Sequence, residues 1–228
     1  MSDSISRGVW RKRHQAVSAG ALAAGLSIAR GAHAAGSDAI RIGFIGCGNR
    51  GTGACKEALS TKVPTKLVAV GDLFSERIER SLRNLSKYPD INARMDVPAE
   101  RQFTGFDAYE KVLDAGVDLV LLTTPPHFRP MQYAAAIAAG KHVFMEKPLC
   151  IDAPGYRTLV ATNKQALATK CSVVVGMQRR HQPNYLQGIQ KIHDGLLGDV
   201  QLIRTYFNMP GGGRSGWLGH AGDGRGRR

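Results

Sequence analysis

Residues 39–53 read AIRIGFIGCGNRGTG, and the order of residue types in them selects one kind of fold. Ile40, Ile42, Phe44 and Ile45 make a short buried strand, after which Gly46, Gly48 and Gly51 fall on G-x-G-x-x-G. The next segment, Thr52 to Leu59, can form a helix, and this strand, turn and helix context gives the motif its meaning. Gly46 permits a tight turn, Gly48 has no side chain to block a pyrophosphate, and Gly51 lets helix approach strand. The helix N-terminus offers N–H groups and positive dipole to the phosphates. The loop residues Cys47, Asn49 and Arg50 complete the first group of candidate cofactor-binding positions.

Outward from that turn, Lys66-Leu67-Val68-Ala69-Val70 reads as a second strand, and Asp72 follows 21 residues beyond Gly51. A carboxylate there would accept hydrogen bonds from the adenosine ribose hydroxyls and repel a 2′-phosphate, which favours NAD over NADP. Ser75 and Arg77 stand close enough to soften that preference, and Asp72 could instead cap the helix read over Leu73 to Leu85. Helix and strand then alternate: Tyr109 to Ala115 and Val117 to Thr123, Met131 to Ala139 and His142 to Met145, Tyr156 to Ala168 and Ser172 to Val175. The expectation is an α/β, Rossmann-type doubly wound parallel sheet of six strands by about residue 176. Val117 to Thr123 counts as the fourth strand, although no residues are assigned to the third. Ligand belongs at the carboxyl ends of such strands.

Two strand ends carry unusual text: Thr123-Thr124-Pro125-Pro126-His127 and Met145-Glu146-Lys147-Pro148. With the glycines and Asp72, they make residues 38 to 209 resemble the Gfo/Idh/MocA oxidoreductases, the family of glucose-fructose oxidoreductase and inositol 2-dehydrogenase. The resemblance implies hydride transfer between NAD(P) and a secondary alcohol of a sugar or polyol. It places Lys147 beside the reacting carbon as catalyst and substrate contact, and Thr124, Pro125, His127 and Glu146 around the nicotinamide side. An ammonium near a developing alkoxide stabilises the charge that appears there, and Glu146 could hold Lys147 by an ion pair. His127 could equally cap the next helix, and His142, at the start of a buried strand, reads as structural. Arg179 and Arg180 follow at the mouth of the family's substrate cleft. Either could bind a sugar hydroxyl or carboxylate, or be a solvated helix-start charge.

Gly198 to Phe207 looks like the first strand of the family's antiparallel substrate sheet. The Asp-x-x-x-His pair that commonly completes the family's site has no counterpart, because no Asp has a His four residues on. The chain turns after Pro210 into GGGRSGWLGHAGDGRGRR, too poor in apolar residues to fold alone. The expected organisation is a Rossmann domain over 38–180, an incomplete start of an α+β substrate domain over 181–209 and a Gly/Arg-rich tail over 210–228. A truncated or frameshifted product is the economical explanation, and a nucleotide-binding fragment without independent catalysis is the alternative reading. A family-like oligomer is doubtful for such a product.

Residues 1–35 read as an export signal. Arg7, Arg11, Lys12 and Arg13 precede the mildly apolar AVSAGALAAGLSIA of residues 16–29, and Ala32-His33-Ala34 offers a cleavage site. The apolar stretch would rise about 21 Å as helix against roughly 30 Å of bilayer core, so no anchor is expected after cleavage. Twin-arginine export to the periplasm is the expectation, with a cytoplasmic protein behind a leader or mis-assigned start codon as the alternative. The net charge of +13 is concentrated in the tails: +4 over residues 1–35, +3 over 211–228 and +6 over the 175 residues between. Without a run of five like charges, that middle suits anionic ligands at least as well as nucleic acid, and nucleic-acid binding is not expected. Four cysteines without a Cys-x-x-Cys pair offer neither a metal site nor a redox motif, so structural thiols are expected.

Overall fold

The computed structural model describes residues 38–206. The expected export signal and the whole Gly/Arg-rich tail lie outside the described residues, as does Phe207. The chain divides after Met177 into two units.

The first unit alternates strand and helix throughout. Its strands are β1 (Ile40–Ile45), β2 (Thr65–Asp72), β3 (Gln102–Thr104), β4 (Leu119–Leu122), β5 (His142–Met145) and β6 (Val173–Val175). Its helices are α1 (Asn49–Leu59), α2 (Ser75–Leu85), the short α3 (Pro89–Asn92), α4 (Ala108–Asp114), α5 (Arg129–Ala138) and α6 (Ala153–Ala168). The six strands form one parallel sheet in the order β3-β2-β1-β4-β5-β6. The expected sheet is therefore present, and its third strand is Gln102-Phe103-Thr104, a segment too short to show alternation in the sequence.

Helices cover both faces, which is why the central strands are continuous apolar runs. Ile42, Phe44, Leu67, Val70 and Leu121 pack with Cys55, Leu59, Ile78 and Leu85 on the α1 and α2 side. Val68, Ala69, Val120, Leu122, Val143 and Met145 pack with Val112, Tyr133, Ile137 and Leu159 on the other side. Each fully buried Leu or Ile contributes roughly 1.5–3 kcal/mol of transfer free energy, so the two layers hold the sheet without help from disulfides. All four cysteines are free. At the amino ends of the central strands, Arg41 donates to Asp118 from its main-chain N–H at 2.9 Å, from Nε at 3.1 Å and from Nη2 at 2.8 Å.

The second unit, described over 178–206, consists of a 3-10 turn at Gln178–His181 and one helix, α7 (Pro183–His193). The strand expected over Gly198 to Phe207 is a correction: residues 198–206 form no strand. A strand exists by pairing its N–H and C=O groups with a neighbour, and none of the described residues lies beside this segment in a sheet. No helix among the described residues is long and apolar enough to cross a membrane.

Candidate functional site

The switch point of the sheet falls between β1, which connects outward to β2, and β4, its neighbour on the other side. Such a crevice at the carboxyl ends of parallel strands is where ligands bind in doubly wound folds. The glycine turn fills its floor. Gly46 has φ of +96°, and a Cβ on it would stand 2.6 Å from the Thr124 nitrogen. A Cβ on Gly51, inside the first turn of α1, would stand 2.1 Å from the Gly46 carbonyl oxygen. Gly48, the N-cap of α1, faces open space bounded only by the Arg77 guanidinium at 3.6 Å from where its Cβ would be.

No side chain caps α1 and no acidic residue stands in its first turn. Its free N–H groups and the gap over Gly48 fit a pyrophosphate, in charge and in room. Asn49 and Arg50 are exposed on that turn. Cys47 contributes its backbone: its N–H donates to Asp72 Oδ2 at 2.7 Å, while its thiol is buried and donates to the Gly71 carbonyl at 3.7 Å. Burial pushes that thiol well above its ordinary range, and the charge of Asp72 adds to the effect.

Asp72 ends β2 and accepts from two backbone N–H groups, Cys47 at one oxygen and Phe74 at the other, at 3.1 Å. The helix-cap alternative does not hold, because Phe74 is the N-cap of α2. The carboxylate is thereby fixed beside the glycine turn, with Arg77 packed over Phe74 at 5.6 Å from the ring centroid.

Across the switch point, two loops follow β4 and β5. Thr123 Oγ1 donates to the carbonyls of Ile45 at 3.0 Å and Gly46 at 2.6 Å, lashing the end of β4 to the glycine turn. Thr124 donates from its hydroxyl to Gln132 Oε1 at 2.6 Å. Pro125 and His127 are exposed, with the His127 ring edge-on to Phe128 at 5.3 Å. His127 does not cap α5 either, whose N-cap is Phe128. His142 is structural, since its Nδ1 accepts from the Ser172 N–H at 2.9 Å.

Lys147 is exposed just past β5, and its bond to Pro148 is cis. The ion pair expected between Glu146 and Lys147 is a correction. Glu146 is buried on the α1 side of the sheet end, and its Oε1 lies 2.5 Å from Arg50 Nη2. Neighbouring residues at a strand end point to opposite faces, so the two side chains diverge.

Two residues have positioning roles that the sequence did not disclose. Thr123 is one. The other is Arg129, 2% exposed, whose guanidinium donates to the Thr124 and Pro148 carbonyls and so ties the loops after β4 and β5 together. Burial pulls its pKa down, and the nearby Glu146 charge opposes that. An arginine opening an apolar helix was the available signal. Arg179 and Arg180 belong to the second unit. Arg179 stacks over the Tyr185 ring at 4.8 Å and donates to its hydroxyl, while Arg180 is exposed. No group of three or more metal-ligating side chains gathers among the described residues.

Comparison with known proteins agrees with this fold. The inositol 2-dehydrogenase/D-chiro-inositol 3-dehydrogenase of Halalkalibacterium halodurans is 29% identical over 77% of this chain and 46% of its own length. The inositol 2-dehydrogenase of Acidiphilium cryptum is 32% identical over 75% of this chain and 46% of its own. In fold, the chain is similar to scyllo-inositol dehydrogenase from Lactobacillus casei, solved with NAD(H) and scyllo-inositol, with a TM-score of 0.55 at 23% identity over 71% of this chain and 43% of that one. The chain thus spans about half the length of the relatives it matches. Residues 40–176 match the Gfo/Idh/MocA oxidoreductase family, NAD-binding Rossmann fold, and the chain belongs to that family through its NAD-binding domain.

Proposed function

We propose that this chain binds NAD in the crevice above Gly46, Gly48 and Gly51 and serves hydride transfer between the nicotinamide and a secondary alcohol of a sugar or polyol. The observation that carries the reading is the uncapped, acid-free N-terminus of α1 beneath an open Gly48, with Asp72 fixed beside it. In this reading α1 holds the pyrophosphate through its N–H groups, and Asp72 accepts from the adenosine ribose and disfavours NADP. Cys47, Asn49 and Arg50 line the turn, and Thr124, Pro125, His127 and Glu146 line the nicotinamide half. The nicotinamide, when bound, supplies the hydride acceptor.

Lys147 is the polar catalyst in this proposal. Its ammonium, exposed and unpaired among the described residues, stabilises negative charge on the substrate oxygen as the hydride leaves the carbon for the nicotinamide and the hydroxyl proton passes to solvent. Arg179 and Arg180 are proposed substrate contacts. The inositol activity of the relatives in which this domain forms about half suggests a cyclic polyol as the first substrate to try.

The test is a titration of the chain with NAD and NADP beside turnover on a polyol panel. NAD should bind more tightly than NADP, and Lys147→Met should cost turnover at least about 10²-fold while leaving NAD affinity within twofold. Turnover unchanged by Lys147→Met removes the catalytic assignment. A second reading, dinucleotide binding without independent turnover, draws on the chain spanning 46% of its relatives. It is the better one if NAD binds and no polyol is oxidised.

A further inference from the structure

Glu146 holds a charge that the catalytic reading leaves without a task. Glu146 is 5% exposed, its Oε1 lies 2.5 Å from Arg50 Nη2, and its carboxylate lies against Gly176. A Cβ on Gly176 would stand 2.9 Å from the same oxygen. The groove it fills belongs to the α1 face of the sheet, since Met145 packs into the opposite layer. Arg50 reaches it from the first turn of α1, using its other nitrogen for a looser 3.8 Å contact with Glu57. The remaining charged groups nearby are Arg129, whose cation the Glu146 charge favours, and Lys147, which is exposed and has no ion-pair partner among the described residues. A single buried carboxylate at the end of β5 is therefore cancelled by a half-exposed arginine delivered from the glycine turn.

The two redox forms of a nicotinamide dinucleotide differ in charge at one place: the oxidised ring is cationic and the reduced ring neutral. The ratio of their dissociation constants therefore isolates the electrostatic field at the ring, because phosphates, riboses and adenine are common to both. A bare carboxylate at the end of β5 would favour the cationic ring, and a carboxylate paired with a guanidinium presents only a weak dipole.

We propose that the Arg50–Glu146 pair sets the relative affinity for oxidised and reduced nicotinamide dinucleotide, with Arg50 cancelling the carboxylate that would otherwise hold the oxidised form. This inference rests on the dinucleotide reading above. It makes Arg50 a specificity-determining residue for redox state, acting from the pyrophosphate end of the site.

The experiment titrates the 228-residue chain with NAD⁺ and with NADH separately, at pH 8 and low salt, for the wild type and three variants. Arg50→Gln should shift the ratio of dissociation constants toward the oxidised form by about fivefold, the size of one carboxylate acting over a partly screened path. Glu146→Gln should shift it toward the reduced form, and the double variant should return to within twofold of wild type. A partly unfolded preparation lowers both apparent affinities alike and cancels in the ratio. Arg50→Lys keeps the charge and should keep the wild-type ratio, which carries the test if Glu146→Gln does not fold. A ratio unmoved in Arg50→Gln, with both forms still binding, overturns the inference alone. Failure of the wild type to bind either form overturns the dinucleotide reading and this inference with it.

Discussion

Asp118 illustrates how one carboxylate can fasten the amino end of a parallel sheet. Burial raises its pKa, but hydrogen bonds from the Arg41 side chain and main-chain N–H, with the charges of Arg41 and Lys141, outweigh that and hold it below the ordinary range. A carboxyl depressed by folding stabilises the protein above its unfolded value of about 3.9 and loses that contribution as pH falls through the lower folded value. Asp118→Asn should therefore lower the urea midpoint at neutral pH, and the gap to wild type should narrow steadily below about pH 4. A gap that stays constant down to acid would show that the pair does not stabilise the fold through its charge. At the same scale, the turn at Gly46 and the close approach at Gly51 were legible because each is a backbone requirement written in a residue type. The partner of Glu146 was not, because an ion pair depends on which face of a strand end each side chain leaves. Arg129 and Thr123 were missed because their task is to hold carbonyls, for which many residue types serve.

Among the elements, the seating of α1 against β1 and β4 has the least slack. The Cβ of an alanine at 51 would meet the Gly46 carbonyl at 2.1 Å and the Thr123 hydroxyl at 2.4 Å, both already joined by a hydrogen bond. Backbone must move, so Gly51→Ala should cost about 2–3 kcal/mol in urea unfolding and weaken NAD binding in parallel, read by titration. Stability lost without loss of affinity would separate packing from the proposed pyrophosphate site. The strands and helices around this contact were readable because they are long enough to show apolar runs and periods. β3 escaped because three residues show neither, and its place in the sheet comes from pairing with β2. The strand expected after Gly198 failed for the complementary reason: its apolar pattern suits a strand, but pairing is a property of two segments.

On the scale of the whole molecule, the first unit contains both apolar layers and the crevice, and the second contains Arg179 and Arg180. Residues 38–177 alone should therefore fold cooperatively and bind NAD within about threefold of the full chain, checked by thermal melting and titration. Loss of binding on removing 178–228 would place part of the cofactor site in the second unit.

The strand order also has a consequence for how the chain is made. β1 sits in the middle of the sheet and pairs with β2 on one side and with β4 on the other. About 75 residues separate the end of β1 from the start of β4, which at roughly 5–20 residues per second takes on the order of 4–15 s to synthesise. For that interval on the ribosome, the apolar central strand has at least one edge bare. The nascent chain should be a client of cotranslational chaperones until Leu119 to Leu122 emerges and closes the gap.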